Sequence, residues 1–233
     1  MSLGPSGRVD GIAALLLVVA FVLAGWKVFS RPPAVGYASV PQQLSPDGRF
    51  RFGAQFVSAA PGQAVHAASI VELAGGGLRA VRLSGSREGA GDVSIRTAAM
   101  DAASLRRGAE NTPFDRQQIQ RGLWRHVKKP GDPVIARATG GSLCLCFWMV
   151  TVSLGGWAGS SITWARSTDA GASWSQPWRL VTSPFLNVSA LVKGAPLVYQ
   201  DGQIGLPVYH EFVSRFAEIL RISTQGQVRV GRA

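Results

Sequence analysis

The chain has 233 residues, of which 46% are hydrophobic and 16% are charged. That apolar content suffices for a buried core and excludes an intrinsically disordered chain. The formal net charge of +11 raises nucleic acid and anionic surfaces as partner classes. The two cysteines, Cys144 and Cys146, are too few and too close together for a disulfide scaffold or a zinc site, so we expect no disulfide, metal or cofactor.

The amino-terminal segment predicts a membrane helix. Between Asp10 and Lys27 lie 16 uncharged residues, GIAALLLVVAFVLAGW, which are rich in Leu, Val and Ala. We expect residues 1–30 to form a transmembrane anchor or an uncleaved signal sequence, because Lys27 can reach the membrane interface. A signal peptide cleaved near Ala24 is the alternative.

Residues 31–61 contain five prolines and predict a stalk. Near its end, residues 50–57 alternate aromatic and other side chains, which predicts a first strand. The domain proper is expected to cover residues 62–233.

Three segments of this domain share one pattern: small residues or proline, an apolar run, a turn with glycine, and a second apolar run. They are HAASIVELAGGGLRAVRL from His66, DPVIARATGGSLCLCFWMV from Asp132 and APLVYQDGQIGLPVYHEF from Ala195. Their starts are 66 and 63 residues apart, and each predicts a hairpin. Further strands are expected at residues 93–99, 161–166, 178–181 and 218–223. Such repetition predicts an all-β fold and is typical of a β-propeller.

The octapeptide STDAGASW, residues 167–174, lies between two apolar runs and predicts a hairpin turn with its own chemistry. The side chain of Asp169 can accept hydrogen bonds from backbone N–H groups, and Gly171 can adopt positive φ without strain. Trp174 can fold back onto the sheet as an apolar plug. The pattern therefore has a structural explanation at each of its positions, including Ser167.

This octapeptide resembles the Asp-box, or BNR repeat, of the sialidase (neuraminidase) superfamily, a hairpin repeated around a β-propeller away from the active site. Four more segments look like those of bacterial sialidase-like proteins: GSREGAGDV from Gly85, VTVSLGGWAGSSI from Val150, LVTSPFLNVSALV from Leu180 and LPVYHEF from Leu206. The resemblance covers about residues 62–220 and implies a sialidase-type propeller of six blades. We expect residues 62–233 to form about three of them, with an open edge that favours self-association.

The resemblance also implies a chemistry. In sialidases, arginines hold the substrate carboxylate, an aspartate is the acid/base, and a tyrosine activated by a glutamate is the nucleophile. Arg87 and Asp92 resemble the substrate-binding arginine and the catalytic aspartate. The alternative is a surface loop in which Arg87, Glu88 and Asp92 pair with one another or with solvent.

Glu211 ends an apolar run, where a charge is costly unless it faces a polar pocket. By resemblance it is the activating glutamate, and strand alternation puts Tyr209 on the same face as a pocket-lining residue. The alternative is an ion pair between Glu211 and Arg215 beside a packed Tyr209.

Two further positions are candidates for substrate binding. His66 occupies the place of the first arginine of sialidases, although it lacks the bidentate guanidinium. Trp157, in a glycine-rich segment, is either a platform for a sugar ring or a core residue under a glycine turn.

The basic residues are dispersed except for a group between Arg121 and Lys129, which surrounds Trp124. No nucleic-acid motif accompanies them, so we interpret the group as a solvated surface and expect no nucleic-acid partner. The sequence favours an exo-acting, sialidase-like glycoside hydrolase that releases a terminal sialic acid or related sugar from sialylated glycans on the extracytoplasmic side. The alternative is a non-catalytic carbohydrate-binding or interaction propeller.

Overall fold

The computed structural model describes residues 5–29, 36, 52–58, 62–101, 103–104, 106–138, 144–183, 187–223 and 228–231. The chain divides into two compact units, Met1–Val35 and Gly36–Ala233. The first unit contains the helix α1 (Pro5–Phe29).

The transmembrane helix predicted for residues 1–30 is not supported. Among the described residues, no helix is both long and apolar enough to cross a membrane. The uncharged run of 16 residues would extend about 24 Å as a helix, which is shorter than a hydrocarbon core of about 30 Å.

The second unit consists mainly of antiparallel sheets. The first sheet has the order β1 (Ala64–Glu72), β2 (Gly77–Gly85), β3 (Ser94–Asp101), β4 (Arg107–Phe114). After helix α2 (Arg116–Leu123), the second sheet has the order β5 (Lys129–Arg137), β6 (Leu145–Val152), β7 (Ser160–Ser167), β8 (Trp178–Arg179), and a short 3-10 helix (Trp157–Gly159) precedes β7. The third sheet contains β9 (Leu191–Val192), β10 (Leu197–Val198), β11 (Ile204–His210), β12 (Phe216–Ile222) and β13 (Val228–Gly231), with β9 and β10 both paired to β11.

The predicted all-β organisation of this unit is confirmed in its main features. The three predicted hairpins are β1–β2, β5–β6 and β10–β11, and the further strands correspond to β3, β7, β8 and β12. The strand predicted at residues 50–57 is wrong for its described part, since residues 52–58 form no strand. The contacts of this segment with the first sheet come from side chains instead: Arg107 donates to the carbonyl oxygen of Val57, and Arg82 donates to the hydroxyl of Ser58.

Strand β6 explains how the sheets stack. Every residue of β6 is buried, because its two faces pack against different sheets. Leu145, Phe147 and Met149 join a core cluster with side chains of the first sheet. The alternate residues from Cys146 to Val152 join a second cluster with side chains of the third sheet. The continuous apolar run LCFWMV therefore reflects burial on both sides. Both cysteines are free, and burial raises the pKa of the Cys146 thiol to about 11.

Helix α2 was not predicted as an element, and its ends are well defined. Asp115 and Gln118 form a capping box, in which the Asp115 carboxylate accepts from the backbone N–H of Gln118 at 2.6 Å. The helix ends at Trp124, which has a left-handed backbone with φ of 51°. On its inner side, Ile119 is fully buried between the first and second sheets.

Candidate functional site

The first strands of the sheets lie side by side. Strand β1 contacts β5, and β5 contacts β9. The backbone N–H of Ile135 in β5 donates to the hydroxyl of Ser69 in β1 at 3.3 Å. This arrangement gathers residues that are more than sixty positions apart in the chain.

Each of these strands is interrupted at a corresponding level. In β1 the pairing shifts between His66 and Ser69, and in β5 it shifts between Gly131 and Val134. Both shifts insert one residue, which is a β-bulge. In the third sheet, β9 and β10 both pair with β11, and the unpaired residues between them correspond to the bulges of β1 and β5.

The two bulges have the same unusual backbone. Ala67 has φ of 54° and Asp132 has φ of 23°, a region that residues other than glycine rarely adopt. Bulges and positive φ at non-glycine residues are enriched near functional sites, where they redirect a side chain. The bulge in β5 thus identifies Asp132 as a candidate functional residue that sequence reasoning missed.

The surroundings of Asp132 are charged. Burial raises the pKa of the Asp132 carboxyl, while the charges of Lys193 and His66 oppose that shift and the charge of Glu88 adds to it. These side chains come from four separate segments, namely β5, the stretch after β9, β1 and the loop after β2. We call this group, together with Tyr209 and Glu211, the Asp132 cluster. In the sequence, the one signal for it was the repeat of hairpins, since Asp132 begins the second.

His66 lies in β1 immediately before the bulge and is half-buried. Its Nε2 atom is buried and has no hydrogen-bond partner among the described residues. Because burying an unpaired polar atom is costly, this nitrogen is available to a ligand or a water molecule.

Tyr209, in β11, and Glu211, directly after β11, are the members of the cluster that come from the third sheet. Burial raises the pKa of the Tyr209 phenol, and the negative charges of Asp132 and Glu211 raise it further. The backbone N–H of Glu211 donates to the hydroxyl of the buried Ser189 at 2.7 Å, which fixes the end of the strand. Within the described ranges, no ion pair joins Glu211 to Arg215, so that alternative is not formed.

Trp157 borders the cluster. A Cβ atom added to Gly131 would lie 2.6 Å from the ring of Trp157, so the indole packs directly on the backbone next to Asp132. The ammonium group of Lys129 lies 4.0 Å from the centre of the same ring. The half-buried Trp157 therefore packs under a glycine and also carries a cation–π contact.

Arg87 and Asp92 lie in an exposed loop between β2 and β3. The Asp92 carboxylate accepts from the backbone N–H and from the hydroxyl of Ser86, both at 2.9 Å. These hydrogen bonds, followed by the charge of Arg87, lower the pKa of Asp92. The loop thus holds Asp92 ionised, whereas a general acid requires a raised pKa.

The Asp-box closes the turn between β7 and β8. The Asp169 carboxylate accepts from the Ser173 N–H at 2.9 Å and from the Ser173 hydroxyl at 2.6 Å. The Ser167 hydroxyl accepts from the N–H of Gly171 at 2.7 Å and donates to Asp169. Hydrogen bonds from Ser173 and Ser167 lower the pKa of Asp169 to about 2.

The same turn joins the second sheet to the first. Gly171, with φ of 83°, packs on Arg79 of β2, and a Cβ atom there would lie 2.6 Å from the Arg79 Cδ atom. The ring of Trp174 lies 5.5 Å from that of Phe147 and 6.4 Å from that of Phe114. The Asp-box is therefore a structural element that stabilises the packing of two sheets.

In the part of the chain that the structure describes, no three His, Cys, Asp or Glu side chains are grouped to hold a metal ion.

Comparison with known proteins agrees with this geometry. Residues 76–232 match the family of the BNR repeat-like domain. No curated protein matches the chain.

Similar solved structures show the fold. A family 117 glycoside hydrolase from Zobellia galactanivorans matches with a TM-score of 0.55 and 11% identity over 77% of this chain and 58% of that one. A protein of unknown function from Dyadobacter fermentans matches with a TM-score of 0.54 and 12% identity, over 72% of this chain and 58% of that one. A Trypanosoma rangeli sialidase in complex with sialic acid matches with a TM-score of 0.51 and 12% identity, over 88% of this chain and 34% of that one. The chain thus spans between a third and three fifths of the length of these structures.

The stacked antiparallel sheets, the Asp-box and the match over residues 76–232 lead to one conclusion: the chain belongs to the BNR repeat-like domain family, within the sialidase-like superfamily.

Proposed function

We propose that the chain is a glycoside hydrolase domain with a sialidase-type propeller arrangement, and that it cleaves a terminal sugar at the Asp132 cluster. The observation that carries the proposal is the bulge in β5, which places a carboxyl of raised pKa among side chains from three sheets. Pairs of carboxyl groups in unlike environments are the usual machinery of glycoside hydrolysis. The side-by-side first strands and the glycoside hydrolases among the similar structures support the proposal.

Asp132 is the proposed general acid. Because burial disfavours its charged form, Asp132 retains its proton at a higher pH than an ordinary aspartate and can donate it to the leaving glycosidic oxygen. The charges of Lys193 and His66 favour the carboxylate that this step produces. This proposal moves the acid role from Asp92 to Asp132.

Glu211 is the proposed base. It directly follows β11, two residues after Tyr209, and its charge acts on the Tyr209 phenol. The phenol has a raised pKa, so it needs a proton acceptor before it can attack, and the proposed acceptor of a proton from this phenol or from a water molecule is Glu211.

An anionic terminal sugar is the proposed substrate. Lys193 provides positive charge, and His66 provides a buried nitrogen without a hydrogen-bond partner among the described residues. Trp157 provides an aromatic ring next to Asp132. Sialic acid and other sugar acids combine a carboxylate with an apolar ring face that suits such a surface.

A panel of fluorogenic glycosides tests the proposal. We expect the purified chain to hydrolyse 4-methylumbelliferyl sialoside or uronide faster than the neutral galactoside. Asp132→Asn should abolish this hydrolysis without loss of fold, as measured by circular dichroism. Absence of turnover on every member of the panel would refute the enzymatic proposal.

A second candidate function is carbohydrate binding without catalysis. It is favoured by His66, which stands where sialidases carry an arginine, and by Lys193, which binds an anion without the bidentate geometry of a guanidinium. Binding of sialyllactose that is retained in Asp132→Asn, with no hydrolysis by the natural chain, would identify this function.

A further inference from the structure

A second concave surface lies away from the Asp132 cluster, between α2 and the segment that follows the Asp-box. It consists of a cavity of about 660 Å³ and an adjoining one of about 250 Å³, which share Pro113, Gln118 and Trp174. We call this surface the outer groove. The side chains that matter for its chemistry are Trp124, Trp174, Gln118, Gln120, Arg121 and Arg125.

The groove is rigidly built. A Cβ atom added to Gly122 of α2 would lie 2.6 Å from the ring of Pro177, so the helix packs tightly against the opposite wall. The capping box holds the start of α2, and Ile119 anchors the helix in the core. A ligand would therefore meet a preformed surface, which lowers the entropic cost of binding.

Trp124 is the most unusual residue of the groove. Its side chain is 94% exposed, and its backbone is left-handed at a position that usually holds glycine or asparagine. An exposed tryptophan in a strained conformation contributes little to folding. Its wide apolar ring is well suited to stack against a flat ligand.

Two glutamine side chains of the groove offer hydrogen-bond donors to a ligand. The Gln118 carbonyl oxygen accepts from the Asp115 N–H at 2.7 Å, and the Gln120 carbonyl oxygen accepts from the Val127 N–H at 3.3 Å. Each side chain is thus fixed through its oxygen, and its NH₂ group, which has no hydrogen-bond partner in the described part of the chain, can donate to hydroxyl or carboxylate oxygens of a ligand.

The charge of the groove is positive and uncompensated. Among the described residues, no acidic side chain lines either cavity, and neither Arg121 nor Arg125 forms an ion pair. Burial lowers the pKa of the nearby Arg179, and the positive charge of Arg125 lowers it further. Arg125 and Arg179 therefore repel each other, and an anion bound beside Arg125 would reduce this repulsion.

We propose that the outer groove binds an acidic oligosaccharide, in which carboxylate or sulfate groups contact Arg121 and Arg125 and a sugar ring stacks on Trp124. The amide donors match sugar hydroxyls, and the bounded cavity fits a few sugar rings. Single-stranded nucleic acids instead need several stacking rings along an extended basic channel. The proposal is independent of the reaction at Asp132, because no residue is shared between the two surfaces.

Binding is measured on the full chain by titration calorimetry with tetragalacturonate, chondroitin sulfate tetrasaccharide, neutral maltotetraose and a short oligothymidylate. We expect binding of one or both acidic tetrasaccharides, and the difference between them separates carboxylate from sulfate recognition. Trp124→Ala and Arg125→Gln should each weaken this binding about tenfold. Trp124 is exposed and Arg125 is half-buried without an ion pair among the described residues, so the melting temperature should stay close to that of the natural chain.

A matched control makes the test decisive. Arg106→Gln removes an exposed arginine at the opposite end of β4 and should bind like the natural chain. Equal binding of the neutral and acidic sugars, unchanged binding in Trp124→Ala and Arg125→Gln, or absence of binding would overturn the proposal. Equally tight binding of the oligothymidylate would show a general polyanion surface and would also overturn it.

Discussion

Asp132 of β5 and Ala67 of β1 are the first residues of matching bulges in neighbouring strands, and both have positive φ. In β1 the bulged residue is a small alanine, and the adjacent His66 provides the functional group. In β5 the bulged residue is itself a carboxylic acid. The same backbone feature therefore occurs in both strands, and the charge of His66 opposes the rise that burial causes in the pKa of Asp132.

The Asp-box turn should be sensitive to a single methyl group. Gly171→Ala combines positive φ with a contact of 2.6 Å to Arg79, whereas Gly76→Ala has the same φ of 83° and open space around its Cβ atom. We expect Gly76→Ala to cost about 1 kcal/mol of unfolding free energy, and Gly171→Ala to cost about 1–3 kcal/mol more. Urea denaturation of the two variants measures the difference. Equal losses would contradict the proposed packing of the turn on Arg79.

Asp169 should stabilise the fold at neutral pH. Its pKa in the folded chain is about 2, below the ordinary value of 3.8, so the folded state favours the charged form. The stabilisation is present above the ordinary pKa and disappears as the pH falls from 3.8 towards 2. Asp169→Asn should therefore melt below the natural chain at pH 7, and the gap should close in acid. A gap that is constant with pH would argue against this role.

Asp132 should behave in the opposite way. Because burial raises its pKa, the folded state favours the protonated form, and its contribution to stability is lost as the pH rises through the raised pKa. Asp132→Asn imitates the protonated form, so this variant should melt above the natural chain at pH 7 and equal it in acid. Thermal melts of both proteins, from below the ordinary aspartate pKa of 3.8 up to pH 7, measure the difference in melting temperature. A destabilised Asp132→Asn at neutral pH would show that the charged carboxylate is structurally required.

The sequence predicts the hairpins well because each has an apolar run on both sides of a glycine turn, as in β1–β2. It does not predict β4, RGAENTPF, because most of that strand is exposed and carries little apolar pattern. The Asp-box could be read from local chemistry, since Ser167, Asp169 and Ser173 bond within one turn.

The Asp132 cluster could not be predicted from local sequence chemistry. Its members come from separate sheets, and the bulge that contains Asp132 depends on the register between β5 and β6. Resemblance to sialidases pointed instead to Asp92, whose carboxylate turns out to bind its own loop. Burial and register, on which the proposed choice of Asp132 over Asp92 rests, are properties of the folded chain.

The most direct test compares two variants on one substrate. We predict that Asp132→Asn lowers kcat/KM for 4-methylumbelliferyl sialoside by a factor of about 10²–10⁴, as expected for loss of a general acid. Asp92→Asn, which loses only hydrogen bonds of an exposed loop, should stay within about threefold of the natural chain. Loss of activity in Asp92→Asn with activity retained in Asp132→Asn would contradict the account.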